Sequence, residues 1–88
     1  MNSDFEQDLY RFIEAHLNNR MRMLDIGAIE ITRDFNMIDT GVLDSMGFIE
    51  LVADIEATFH VEVELEAYRP EELSVVSGLM RCVMNGAA

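Results

Sequence analysis

The chain has one cysteine, one proline and no tryptophan, and its six Lys and Arg face seventeen Asp and Glu, for a formal net charge of −11. Each shortage excludes something. The lone Cys82 has no partner for an internal disulfide, and its neighbours suggest a helical core position rather than a reactive one. So few basic residues argue against nucleic acid, whose phosphates need Lys and Arg, and against anionic membrane surfaces. No apolar run is long enough to span a bilayer. Asp4, Glu6 and Asp8 occupy the place of the basic start of a secretory signal, so a cytoplasmic location is the default expectation. His16, His60 and Cys82 lack metal-ligand spacing. There is no Gly-rich phosphate loop, and the acidic run lacks the alternating Asp and the Gly of a calcium loop. None of Ser3, Ser45, Ser74 and Ser77 stands in a recognisable local arrangement with His and a carboxylate. These shortages together argue against an enzyme.

What is present is a short chain in which 50% of the 88 residues are hydrophobic. That composition is too apolar for disorder and suits one small domain, residues 1–88, of modest stability. Seven Met are available to fill a soft core. The charge is uneven. Residues 44–68 hold Asp44, Glu50, Asp54, Glu56, Glu62, Glu64 and Glu66 with no Lys or Arg, whereas Arg11, Arg20, Arg22 and Arg33 lie in the first half. An acidic surface of this kind suits basic partners.

The periodicity predicts helices. Asn2 or Ser3 caps a first helix whose inward stripe is Phe5, Leu9, Phe12, Ile13, His16 and Leu17, ending near Arg20 or a turn later. His16 reads as a half-buried filler. Residues 21–43 make a long connection punctuated by Gly27, Asp34, Asn36, Asp39 and Gly41. Its apolar residues predict a loop packed across the helices, with one helical turn near Asp34 to Ile38. A strand at Ile29 to Ile31 has no partner. A second helix spans about Ser45 to Phe59 and buries Phe48, Leu51, Val52, Ile55 and Phe59. A short third helix is expected around Glu66 to Arg69, and Pro70 either interrupts it or starts a turn at Glu71. Ser74 is expected to cap a last helix of about Val75 to Met84, with Val76, Leu79, Met80 and Val83 inward, ended by Asn85 and Gly86. The fold expected is all-α: a small antiparallel four-helix bundle, three main helices plus a short third one, with a long loop between helices 1 and 2.

The most informative stretch is Gly41-Val42-Leu43-Asp44-Ser45-Met46-Gly47-Phe48-Ile49-Glu50-Leu51. Asp44 is a good N-cap, and Ser45 then sits in the first turn, where the helix dipole favours an attached phosphate. Caps are common, and these two residues alone read first as a plain capping pair. The whole stretch, however, resembles the attachment site of acyl carrier proteins, and the resemblance extends over roughly residues 5–85. Met46 stands where the fatty-acid type has Leu, and Gly47 where an acidic residue is usual. Gly-x-Leu-Asp-Ser-Met-Gly looks more like the D-alanyl carrier proteins, although the Trp and Thr-Pro segment usual near the end of that group are absent.

The resemblance implies that Ser45 carries covalent phosphopantetheine and that Asp44 helps present it to a phosphopantetheinyl transferase using coenzyme A. It implies cargo held as a thioester, loaded by an acyl- or aminoacyl-loading ligase and passed to acyltransferases or synthases. The outward face of the second helix carries Met46, Ile49, Glu50, Ala53, Asp54 and Ala57, with Glu56 close by. Beside an attachment serine this face reads as a docking surface on which Glu50, Asp54 and Glu56 steer basic partners and Met46 and Ile49 make the close contact. The carrier is expected to act as a monomer. Three readings stay open: a carrier for fatty or other acyl chains, a carrier for an activated amino acid, and an acidic helical adaptor with no prosthetic group.

Overall fold

A computed structural model describes residues 3–27 and 29–87. Among them the chain is all-helical: α1 spans Ser3–Leu24, α2 Ser45–Phe59, α3 Pro70–Leu73 and α4 Val76–Ala87, with a 3₁₀ turn at Leu65–Ala67 between α2 and α3. No strand forms among the described residues; there is one isolated bridge, Asn36 to Val75.

The inward stripes are as the periodicity predicts. Leu9, Ile13 and Leu17 of α1, Leu51, Val52 and Ile55 of α2, and Val76, Leu79, Met80 and Val83 of α4 are buried in one cluster. Phe5 and Phe12, two turns apart on α1, both meet Phe59 edge-to-face, each with ring centroids 5.5 Å away. Such edge contacts put a positive ring edge on a negative ring face. Cys82 is buried in α4.

Helix α1 runs one turn past Arg20, and Asn19 is accommodated inside it. It stops at Asp25, whose φ of 55° is left-handed. Asp25 N–H donates to Arg22 O and Ile26 N–H to Met21 O, which is a Schellman stop built without glycine. The extra turn carries Met23 and Leu24 beyond the packed layer, so both are exposed, as are Ile26 and Ile29.

The rest of the connection packs as expected. Ile31, Phe35, Met37, Val42 and Leu43 are buried. The helical turn expected at Asp34 to Ile38 does not form. The Asn36 side chain instead accepts from Ile38 N–H and Asp39 N–H, folding the backbone into a turn. The neighbouring backbone hydrogen-bonds to the α3–α4 junction: Met37 N–H donates to Ser74 O, Val76 N–H to Phe35 O and Ser77 N–H to Arg33 O. Tyr10 adds a hydroxyl bond to Ile31 O, and the Arg33 guanidinium lies over the Tyr10 ring.

Four boundaries differ from expectation in the C-terminal third. Pro70 does not interrupt a helix but begins α3, since its fixed φ and missing N–H are tolerated in a first turn. The turn before it is 3₁₀ and stops at Ala67. Ser74 does not cap α4, because its hydroxyl folds back to donate to Pro70 O. Helix α4 also continues past Asn85 and through Gly86, whose Cα passes too close to Glu62 O to carry a side chain.

Candidate functional site

Asp44 and Ser45 sit where the connection enters α2. Asp44 is extended, with φ −96° and ψ −175°, and its carboxylate accepts from Gly47 N–H at 2.7 Å. That bond satisfies one of the first-turn amides, which have no partner inside the helix. Ser45 is the first residue of α2 and is exposed. Among the described residues its hydroxyl has no hydrogen-bond partner, and none of them competes for it or activates it.

The turn ahead of the cap is fixed from below. Leu43 N–H donates to Met37 O, and Val42 and Leu43 are fully buried. Gly41 takes φ 80°, a conformation other residues adopt at a cost. From α1, Arg20 reaches across: its Nε donates to Val42 O at 3.2 Å, and its guanidinium lies 3.7 Å from Asp44 Oδ1. No local pattern in the sequence marks this arginine, which lies 22 residues before Val42.

Ser45 also opens onto a groove of about 550 Å³ between α2, the Asn36 turn and the segment from Leu65 to Ser74. Ile38, Phe48, Ile49, Leu65, Tyr68 and Leu73 give it an apolar lining, and Glu66 is the carboxylate at its rim. An exposed, uncommitted hydroxyl at a helix N-terminus beside an apolar groove fits a tether whose phosphate stays in water and whose far end meets apolar surface.

The outward residues of α2 are where the periodicity puts them. Met46, Ile49, Glu50, Ala53, Asp54 and Ala57 are all exposed, Met46 at 73% and Ile49 at 55%. Asp54 faces His16 of α1, with Oδ2 and Nδ1 3.9 Å apart. Glu56 stands apart from this set. It is half-buried, and its carboxylate accepts from Val63 N–H at 2.9 Å, tying α2 to the segment that follows it.

Among the described residues no group of His, Cys, Asp and Glu is placed to hold a metal ion, and no helix is long and apolar enough to cross a membrane. Burial pushes the Cys82 thiol up from its ordinary pKa, the Glu64 backbone partly opposes this, and the nearby Glu64 charge adds to the rise.

The family model described as phosphopantetheine attachment site matches residues 21–83. The chain is similar to D-alanyl carrier proteins of Streptococcus pyogenes, among them those of serotype M5 (strain Manfredo) and serotype M1. It is 30% identical to each over 67 residues, which is 76% of this chain and 81% of the relative. No solved structure matches the chain significantly.

Proposed function

Since the chain belongs to the phosphopantetheine attachment-site family, and is therefore a phosphopantetheine carrier, we propose that Ser45 is the residue that takes the arm and Asp44 the residue that presents it. The observation that carries this is the exposed Ser45 hydroxyl, unpaired among the described residues, on the first turn of a helix capped by Asp44. In the transfer, Ser45 Oγ forms a bond to the phosphorus of coenzyme A that bears pantetheine. The pyrophosphate bond breaks, adenosine bisphosphate leaves, and the hydroxyl proton passes to a base of the transferase. The transferase supplies that base and the metal ion, which the described residues do not offer at Ser45, and it aligns coenzyme A for the attack. The arm, once bound, ends in a thiol that holds a carboxylic acid as a reactive thioester.

On this reading the chain is a carrier rather than an enzyme. Residues 1–88 act as one cytoplasmic, monomeric domain, an antiparallel bundle in which the long loop between α1 and α2 supports the attachment turn. The outward face of α2 is the docking surface. Met46, Ile49 and Ala53 make contact there, Glu50 and Asp54 steer basic partners, and Glu56 acts more on the fold than on the partner. The adaptor reading without a prosthetic group is set aside by the family match.

The apolar groove beside Ser45 supports an acyl cargo of fatty or other kind. A second reading, an amino acid loaded by an adenylating ligase, is favoured by the D-alanyl carrier names of the relatives and by Glu66 at the groove rim, which suits an ammonium group.

The test is intact mass after incubation with coenzyme A, magnesium ion and a broad-specificity phosphopantetheinyl transferase. One arm gained by the parent and none by Ser45→Ala is the expected result. An arm on Ser45→Ala, or none on a folded parent with its native host's transferase, overturns the assignment. ATP-dependent loading of the modified chain with amino acids or with fatty acids then separates the two cargo readings.

A further inference from the structure

One guanidinium touches the attachment turn at three places. Arg20 Nε donates to Val42 O at 3.2 Å, two residues ahead of the cap. Its terminal nitrogen lies 3.7 Å from Asp44 Oδ1, the same oxygen that accepts from Gly47 N–H at 2.7 Å. That nitrogen also lies against Gly47 itself: a Cβ added there would stand 3.3 Å from it and 3.2 Å from Asp44 Oδ1. Arg20 therefore closes a ring that runs through the carbonyl of Val42, the carboxylate of Asp44 and the backbone of Gly47. Ser45 is held inside that ring by the chain on both sides.

The pair is not arranged chiefly for stability. The Asp44 side chain is 70% exposed, so its attraction to Arg20 is strongly screened. The geometry points to a different use. We propose that Arg20 is a positioning residue for phosphopantetheine transfer: it holds Asp44 in its capping geometry and so sets the direction in which the first turn of α2 presents Ser45 Oγ. Gly47 leaves the guanidinium and the carboxylate room that a Cβ would crowd. The proposal rests on Ser45 being the attachment residue. The effect is on the transfer step, because the oxygen must approach phosphorus along one line, and a misplacement of about 1 Å in such a geometry lowers a rate by up to roughly a hundredfold.

The experiment compares the unmodified parent with Arg20→Met, Arg20→Lys, Gly47→Ala and Ser45→Ala. The initial rate of arm transfer is followed by intact mass over a range of carrier concentrations, well below each variant's unfolding midpoint. Arg20→Met is expected to lower kcat about tenfold while KM moves less. Arg20→Lys restores the charge beside Asp44 but not the planar fork that also reaches Val42 O, so an intermediate kcat is expected. Gly47→Ala, which crowds the guanidinium without removing it, is expected to lower kcat as well. An unchanged kcat in folded Arg20→Met overturns the proposal, and so does a rise in KM alone, which would make Arg20 a docking contact. Hydrogen exchange of the Gly47 amide reads the same geometry with no transferase present: faster exchange in Arg20→Met at unchanged global stability is expected, and parental exchange counts against the proposal. A parent that takes no arm, or a Ser45→Ala that does, overturns the Ser45 reading instead, and is recognised by being the same whatever stands at residue 20.

Discussion

Gly78 of α4 lies directly against the Glu72 carbonyl, so close that any Cβ at 78 would overlap the oxygen and its carbon. The neighbour is main chain and cannot swing away as a long side chain would. Helix α3 is a single short turn packed closely on α4. Gly78→Ala gains roughly 1 kcal/mol of helix propensity but pushes two backbones apart. Overpacking of that kind costs about 1–3 kcal/mol, and more where no rotamer relieves it. The expected outcome is a net loss of stability, read as a Tm lowered by about 4–8 °C for each kcal/mol.

His60 ends α2 in a left-handed conformation, φ 57°, without being glycine. The Cβ of an L-residue there crowds the following carbonyl, at roughly 1–2 kcal/mol. His60→Gly removes that crowding at the expense of a looser unfolded chain, so a gain of about 0.5–1 kcal/mol is expected in urea unfolding. Asp25→Gly, at the same kind of stop on α1, should gain less, because aspartate tolerates the left-handed region better.

The carboxylates of α2 should divide by what they touch. Glu56→Ala leaves Val63 N–H without its half-buried acceptor, and a loss of about 1–3 kcal/mol is expected. Glu50→Ala, on the exposed face, should stay within about 0.5 kcal/mol of the parent. In transfer assays the order reverses. Charge reversal at Glu50 or Asp54 should slow association with a basic partner at low salt and much less at high salt. A salt-independent rate for both would remove these residues from docking.

Cys82 should react as a core residue. Its thiol is 2% exposed and its pKa is raised, so alkylation of the native chain should be slow and should accelerate with urea in step with unfolding. The sign for stability follows from the same shift. Below about pH 8.5, the ordinary thiol value, folded and unfolded chains both keep the proton and the stability is whole. As pH rises past it the unfolded chain loses its proton first, so stability falls until the folded thiol also ionises. Cys82→Val should lack that alkaline loss, and unfolding midpoints of the two chains at about pH 7 and about pH 9.5 would show it.

Helix α2 is legible in the sequence to the residue because its signals are local: Asp44 marks the start, and Phe48 to Phe59 repeat at helical spacing. The inward stripes of α1 and α4 are legible for the same reason. The misjudged places are those where a group outside the local pattern decides. Ser74 reads as a cap until Pro70 O captures its hydroxyl. Glu56 reads as surface charge until Val63 N–H reaches it. Arg20 has no local signature at all, since its partners arrive from 22 residues further along the chain. Gly86 reads as a helix end, and nothing local marks Gly78, because the backbones they admit lie on other segments.

The hydrogen bonds from residues 33–37 to residues 74–77 have a consequence for synthesis. They span about half the chain, and contacts between distant segments form last, after the intervening loop has been closed. On a ribosome Ser45 emerges well before Ser74 and α4 do. Until then the Asn36 turn has nothing to lie against, and Met37, which holds Leu43, is itself unheld. A transferase that met the growing polypeptide would find the serine without the platform that aims it. Acceptor competence is thus expected to be a property of the finished molecule, which keeps truncated or half-made chains from consuming coenzyme A.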